Sequence, residues 1–387
     1  MIKPIIKLNQ LTKDVLIEVH TADLHFGNNS VDPSTEFKIL EEQFLIPISQ
    51  IPFDALYING DIYDHKVMTN SDTTMYVTMF VDQCVNICRS KGATLVILAG
   101  TKTHDDDQLK IFYHYLTDLS VDVRIIEHAK FEFVKGKRVL CLPEEYNKGS
   151  EYYETLLYKS GFYDSVVMHG TIAGSVIGCD KEDLTGERAV FDLHNFCYCM
   201  GPIISGHVHT PMCLKGYMYY TGNPIRYRFG EEHAKGFTIL IHNVRTRGFY
   251  THFQEIESFR FDTINLDSLV IEDPKLVIAH IKQLQSQGIH NIRVEFTNET
   301  PNVDIVKNYY RTSQTVKIKD DRKKVSGIIQ DPSNVNEDDL GEEFKKFSFL
   351  FDTQTTAYDK LTQFINIKKG FVYITSDELI KIIEETD

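Results

Sequence analysis

No apolar run in the 387-residue chain approaches the roughly 20 residues that a bilayer-crossing helix needs, so no membrane association is expected. The opening MIKPIIKLNQLTK has neither the long apolar centre nor the small-residue cleavage site of a secretory signal, and a cytoplasmic location follows as the expectation. Cysteine is sparse and unpatterned. There are seven, an odd number, and the local pairs Cys84/Cys88 and Cys197/Cys199 lack CxxC spacing, which argues against a zinc knuckle or a redox motif. Positive charge is also short, with 41 basic against 55 acidic residues and a net charge of -14, which argues against coating nucleic acid by bulk electrostatics. A nucleic-acid substrate would need bound cations, a local basic patch or a partner subunit to offset the repulsion.

What is present is an ordinary globular composition, 42% hydrophobic, in a chain long enough for one large domain with smaller appendages. The first two-thirds alternates strand-like runs with helical patterns. VLIEVH (15–20), ALYING (55–60), TLVILAG (94–100), RVLCLP (138–143), SVVMHG (165–170) and PIISGH (202–207) read as strands, and several end in Gly or His. Helices are expected around Phe37, Leu40 and Phe44, and from Ser71 to Arg89 before Gly92. That alternation predicts layered sheets with crossover helices and functional groups on loops at the C-terminal ends of strands. Beyond residue 215, YMYYTG, GFTILIH and GFYTHFQEI read as consecutive antiparallel strands that complete a second sheet. The domains expected are 1–255, a small α+β unit at 256–326 that includes the basic stretch Lys317 to Lys324, an acidic linker at 327–345 and a helical hairpin at 346–387. In that hairpin Thr375 and Glu378 have capping-box spacing, and Leu379, Ile382 and Ile383 mark an apolar face suited to docking on a partner or on its own domain.

Five His/Asp-bearing segments follow strand-like runs: HTADLHFG with Asp23 and His25, NGDIYDH with Asp61, Asp64 and His65, GTKTHDDDQ with His104 and Asp105, MHG with His169, and SGHVHTP with His207 and His209. Alternation along an extended backbone would turn Asp23 and His25 the same way, as two ligands of one ion. A carboxylate at the tip of the turn after Gly60 can bridge two cations, and imidazoles supply the nitrogen donors that Mn, Fe or Zn prefer. His20, within a strand, reads as a buried, satisfied side chain. Arg226 and Arg228, in NPIRYRFGEE, could meet phosphates or simply face solvent.

The order Asp-x-His, Gly-Asp-x-x-Asp, His-Asp, His-Gly, Gly-His-x-His resembles the calcineurin-like metallophosphoesterase superfamily. HTADLHFG, GDIYDH and YTGNPIRYRFGEEHAKGF look like its SbcD-type nuclease subunits of DNA double-strand-break repair, particularly the shorter bacteriophage members, over roughly residues 15–250. His65 and Lys66 stand where the protein-phosphatase branch has Arg-Gly, which disfavours that branch. The resemblance implies an α/β (α+β) fold, a four-layer β-sandwich flanked by helices with a small cap domain and a C-terminal hairpin. It implies two divalent ions, most readily Mn. Asp23, His25 and His209 would bind the first, His169 and His207 the second, and Asp61 both. His104 would be the catalytic histidine with Asp105 as its orienting partner. Apart from the resemblance, Asp64 and His65 read as groups behind the ligands, with a place near substrate open to them and to Arg226.

It further implies a Mn-dependent DNA exo- and endonuclease that forms a homodimer and works with an SMC-like coiled-coil ATPase of the SbcC type. Alternatives are a phosphodiesterase of small nucleotides and a catalytically weakened scaffold that bridges DNA ends or recruits the ATPase. The chain departs from the family at the third segment. Members read Gly-Asn-His-Asp, whereas here the loop is longer by two and Thr103 stands in the place of the Asn ligand. Thr103, Asp106 or water fills that position, or the second ion binds more weakly.

Overall fold

The computed structural model describes residues 15–175, 181–231, 233–243, 245–265, 274–287, 289–296, 303–313 and 315–320. They form an α/β protein with mixed sheets, divided into two compact units. The larger holds the described residues up to Ile225 together with His233–Ser258, and the smaller holds 226–231 and the described residues from Phe259 onward. The expected linker at 327–345, the hairpin at 346–387 and the residues 321–324 of the basic run lie outside the described residues.

The larger unit begins with β1 (Val15–Thr21), α1 (Pro33–Leu40), α2 (Ile46–Gln50), β2 (Ala55–Asn59), α3 (Asp72–Lys91), β3 (Thr94–Leu98), the short α4 (Lys102–Asp105) and β4 (Asp122–Ile126). It continues through β5 (Lys130–Val134), β6 (Lys137–Leu142), α5 (Ser150–Tyr158), β7 (Ser165–His169), β8 (Thr171–Ile172), β9 (Val190–Phe191), β10 (Ile203–Gly206), β11 (Met212–Leu214), β12 (Met218–Tyr220), β13 (Lys235–Asn243) and β14 (Phe249–Ile256). One six-stranded sheet runs β14-β13-β1-β2-β3-β4 and another β11-β12-β10-β7-β6-β5. In the first, β1 to β4 are mutually parallel; in the second, β6, β7, β10 and β12 are. Strands β2, β3 and β7 are buried along their whole length, which is why they read as unbroken apolar runs rather than as an alternation.

The two sheets meet through one cluster in which Ala55, Tyr57, Val96, Leu98 and Ile126 of the first pack with Val134, Val139, Cys141 and Val167 of the second. Helix α3 covers the first sheet. Its buried residues Val77, Phe80, Val81, Cys84, Val85 and Cys88 recur at helical spacing, and the Ser71 side chain caps its start by accepting from the Thr74 amide at 3.2 Å. On the other side, Tyr153 and Leu157 of α5 pack with Leu140, Val166, Met168 and Ile203 of the second sheet.

The three late strands are not one antiparallel set. Strand β12 lies parallel to β10 in the second sheet, whereas β13 and β14 form a hairpin added antiparallel to β1 in the first. The physical reason is burial. GFTILIH is buried along almost its full length, so it takes an interior position beside β1, where an edge place would expose it. His20 is fully buried and stacks on Tyr57 with ring centroids 4.5 Å apart.

The smaller unit has three parallel strands, β15 (Arg260–Asn265), β16 (Ile289–Phe296) and β17 (Val316–Asp320), with helices α6 (Pro274–Ser286) and α7 (Val303–Tyr309). Ile264, Val277, Ile281, Ile292, Val294, Val306 and Val316 make its core. Lys317 and Lys319, the described lysines of the basic run, sit on β17.

Candidate metal centre

All the segments singled out in the sequence end on the same rim of the larger unit, because β1, β2 and β3 are parallel in one sheet and β7 and β10 are parallel in the other. His169 is the last residue of β7 and pairs with Gly206, the last of β10, so His207 follows immediately beside it. The loops after β1 and β2 are tied together by backbone. The Asp23 amide donates to the Gly60 carbonyl and the His25 amide to the Asp61 carbonyl, both at 3.0 Å.

Three sets of side chains place ligand atoms within 4.8 Å of one another and could each hold a metal ion: Asp23, His25 and His209; His25, Asp61 and His104; and Asp61, His169 and His207. Asp23, Asp61, His169 and His25 are buried, while His104 is partly open. Asp61 belongs to two of the sets. Its Oδ2 lies 3.3 Å from His169 Nε2, 3.9 Å from His25 Nε2 and 4.0 Å from His104 Nε2.

The imidazoles are oriented from behind. His169 Nδ1 donates to the Asn59 carbonyl at 2.7 Å, so its Nε2 faces Asp61, and that nitrogen is buried without a hydrogen bond. His104 Nδ1 donates to the Asp64 carbonyl, which likewise turns its Nε2 toward the centre. His25 has Nδ1 3.5 Å from the Asp64 carboxylate, which is itself held by the Asn28 amide at 2.9 Å. The backbone carbonyl behind His169 and behind His104 selects the neutral tautomer whose Nε2 lone pair points forward, while the Asp64 carboxylate stands near His25 Nδ1. The donor set of carboxylates and imidazoles therefore fits divalent transition ions.

Electrostatics agree with a site that gathers opposite charges. Burial raises the Asp23 carboxyl, and although His169 and His209 pull it back it stays up at about 6. Burial lowers His169, but the Asp61 and Asp23 charges more than reverse this and push it up to about 10. Burial, and then neighbouring histidines, hold His25 down at about 3 and His207 at about 4.

Four candidate ligands, Asp23, His25, Asp61 and His207, adopt left-handed backbone, with φ of 54°, 49°, 54° and 81°. Asp23 and His25 therefore do not converge by strand alternation; they sit beyond β1, in turns that bend both side chains inward. Asp105 differs more from expectation. Its carboxylate does not contact the His104 ring but accepts from the amides of Asp61 (2.9 Å), Gly100 (2.8 Å), Ile62 (3.0 Å) and Tyr63 (3.2 Å). It holds the Asp61 turn against the loop after β3.

Thr103 is exposed, and the threonine that meets Asp61 is Thr101, through its amide to Oδ1 at 2.6 Å and its hydroxyl to Oδ2 at 3.2 Å. Because α4 forms at Lys102–Asp105, the two extra residues are taken up in a helical turn and Thr101 occupies the inner position. His65 is exposed beside Asp64. Arg226 belongs to the smaller unit, where its guanidinium donates to the carbonyls of Glu231 and Phe259.

The sequence reading missed Thr101, the Asn59 carbonyl and the close packing at Gly100, and it took Gly60 for a turn former without its contact to His169. A Cβ on Gly60, where φ is +87°, would meet His169 Nδ1 at 2.3 Å, and one on Gly100 would meet Asp61 Oδ1 at 2.1 Å. Both glycines end strand-like runs, which was the available signal.

No protein-family model matches the chain, and no curated protein matches it. Two solved structures show limited likeness. One, described only as a crystal structure, is 10% identical with a TM-score of 0.39, covering 62% of this chain and 99% of its own. A protein of unknown function from Aquifex aeolicus is 19% identical with a TM-score of 0.23, covering 48% and 94%. At these values neither likeness bears on fold or activity. Among the described residues no helix is long and apolar enough to cross a membrane.

Proposed function

We propose that the chain is a two-cation phosphodiesterase acting on DNA, the nuclease subunit of an SbcCD-like repair complex, built on the metallophosphoesterase sandwich. The observation that carries the reading is the position of Asp61, one carboxylate that belongs to a set with His169 and His207 and whose Oδ2 lies 3.9 Å from Nε2 of His25, itself in a set with Asp23 and His209. A pair of divalent cations held there would polarise a phosphodiester and supply a nucleophilic water at neutral pH. Mn suits a donor set this rich in imidazole.

The chain's own groups define the rest. Asp61 is kept in place by the Thr101 amide and, through its backbone, by Asp105. His104 has its Nδ1 proton committed to the Asp64 carbonyl, so it can give a proton to a departing 3′ oxygen from Nε2 only as the imidazolium. Its ring is a quarter exposed, which leaves it open to substrate while Asp61 is shielded.

The acidic balance of 55 against 41 supports a partner that provides positive surface, and the apolar face expected at Leu379, Ile382 and Ile383 supports docking on a coiled-coil ATPase. Homodimerisation and a cytoplasmic location complete the proposal. Elemental analysis after loading with Mn should return about two ions per chain. The loaded protein should cut linear duplex and single-stranded DNA, with and without the ATPase. Activity confined to bis(p-nitrophenyl) phosphate or cyclic nucleotides would favour the small-nucleotide alternative, and two absent ions would leave only the scaffold.

A further inference from the structure

Of the two arginines singled out in the sequence, Arg226 is committed elsewhere, yet a third arginine stands at the rim of the centre. Arg188 lies two residues before β9 and forms a backbone bridge with Tyr146. The Tyr146 hydroxyl accepts from the amide of Lys102, the first residue of α4, which carries His104. Arg188, Tyr146 and Lys102 thus form one connected lip beside the cation ligands. The charges of Arg188 and Glu144 both reach His207.

The Arg188 side chain is 52% exposed, and among the described residues its guanidinium has a single ionic contact, Glu144 Oε1 at 3.5 Å, with no hydrogen bond. Glu144 is 6% exposed, so it anchors the arginine from below and leaves the outer N–H groups open. Structural arginines of the same unit look different. Arg89 meets Asp118 at 2.7 Å, Arg124 meets Asp122 and Glu132 at 2.9 Å each, and Arg138 donates to the Ser160 and Phe162 carbonyls. A charge-assisted pair ordinarily closes to about 2.7–2.9 Å, so the 3.5 Å contact leaves the Arg188 fork available.

We propose that Arg188 grips a phosphate flanking the scissile one and thereby makes the centre prefer a nucleic-acid strand to a small phosphodiester. This rests on the phosphodiesterase reading above. A planar guanidinium can take two phosphate oxygens at once, and phosphate contacts of this kind set the register of a strand without reading its sequence. The exposed Lys102 lies on the same lip, where it adds positive charge.

The test is fluorescence anisotropy of a labelled single-stranded oligodeoxynucleotide against the full chain, in Ca2+ and again in EDTA, for the parent, Arg188→Ala and Arg188→Lys. The expected result is binding weakened about tenfold in Arg188→Ala, partly restored in Arg188→Lys, with melting temperature and Mn uptake as in the parent. Shortening the strand to a dinucleotide should weaken the parent and leave the alanine variant almost unaffected. Equal binding of the long strand by parent and Arg188→Ala overturns the inference, as does a parent that fails to bind the strand. Failure of the parent to take up Mn would instead sink the two-cation reading, and the anisotropy in EDTA would still decide the role of Arg188.

Discussion

His25 Nε2 and His209 Nε2 face each other at 2.9 Å, although the two residues are 184 positions apart. In the absence of a cation one ring must carry a proton between them; a cation can take both lone pairs. Metal should therefore stabilise the folded chain. At a Mn concentration of 100 times the dissociation constant the gain is about 2.7 kcal/mol, a rise of a few degrees in melting temperature. Scanning the parent and His209→Ala in Mn and in EDTA checks this, and an equal rise in both would remove His209 from the ligand set.

Asp64 serves two rings by different atoms, its carbonyl accepting from His104 Nδ1 and its carboxylate lying near His25 Nδ1. Asp64→Ala removes only the second, so it should weaken Mn affinity about 10- to 100-fold. His104→Asn should do the reverse, keeping most of the Mn affinity and lowering turnover on DNA by about 100-fold or more. Titration calorimetry beside single-turnover cleavage separates the two. If His104→Asn cleaves DNA at the parent rate, the proton-donor role is wrong.

Gly100 is the closest approach in the centre. An added Cβ would stand 2.2 Å from the Asp61 amide nitrogen and 2.1 Å from Asp61 Oδ1. Gly100→Ala is expected to cost about 1–3 kcal/mol in chemical denaturation and to abolish Mn uptake. Parent-like Mn stoichiometry in that variant would show that the Asp61 turn can move aside.

Away from the centre, His242 is buried with neither ring nitrogen hydrogen-bonded among the described residues. Burial, then the Lys137 ammonium, holds its imidazole down at about 4. The unfolded chain takes that proton near 6.5, so between these values the unfolded state binds more protons and stability rises with pH. The contribution is full above about pH 6.5 and falls by roughly 3 kcal/mol as pH drops toward 4. Urea unfolding of the parent and His242→Leu across that range should show a shallower slope in the variant. Identical slopes would mean that the folded imidazole takes up its proton over the same pH range as the unfolded one.

Much of this was legible because the functional residues sit where parallel strands end. Apolar runs such as TLVIL mark strands whatever their neighbours, and a His or Asp directly after one lands on the common rim. The roles of Asp105 and Thr101 were not legible, since they depend on a four-residue helical turn whose existence decides which side chains point inward. Nor could pattern show that Arg226 spends its donors on the carbonyls of Glu231 and Phe259 while Arg188 keeps its own open. The late strands show a related limit: the antiparallel pairing of GFTILIH with GFYTHFQEI was legible, because hairpin signals are local, but the choice of sheet is made by burial across the whole unit.

The left-handed turns at Asp23, His25, Asp61 and His207 carry one more implication. Non-glycine residues in that region sacrifice about 1–3 kcal/mol apiece, even where aspartate and histidine tolerate it better than most. The fold thus holds its chemistry under tension. A lineage released from the need for this chemistry would drift toward glycine and asparagine at these four positions, becoming hardier as it fell silent.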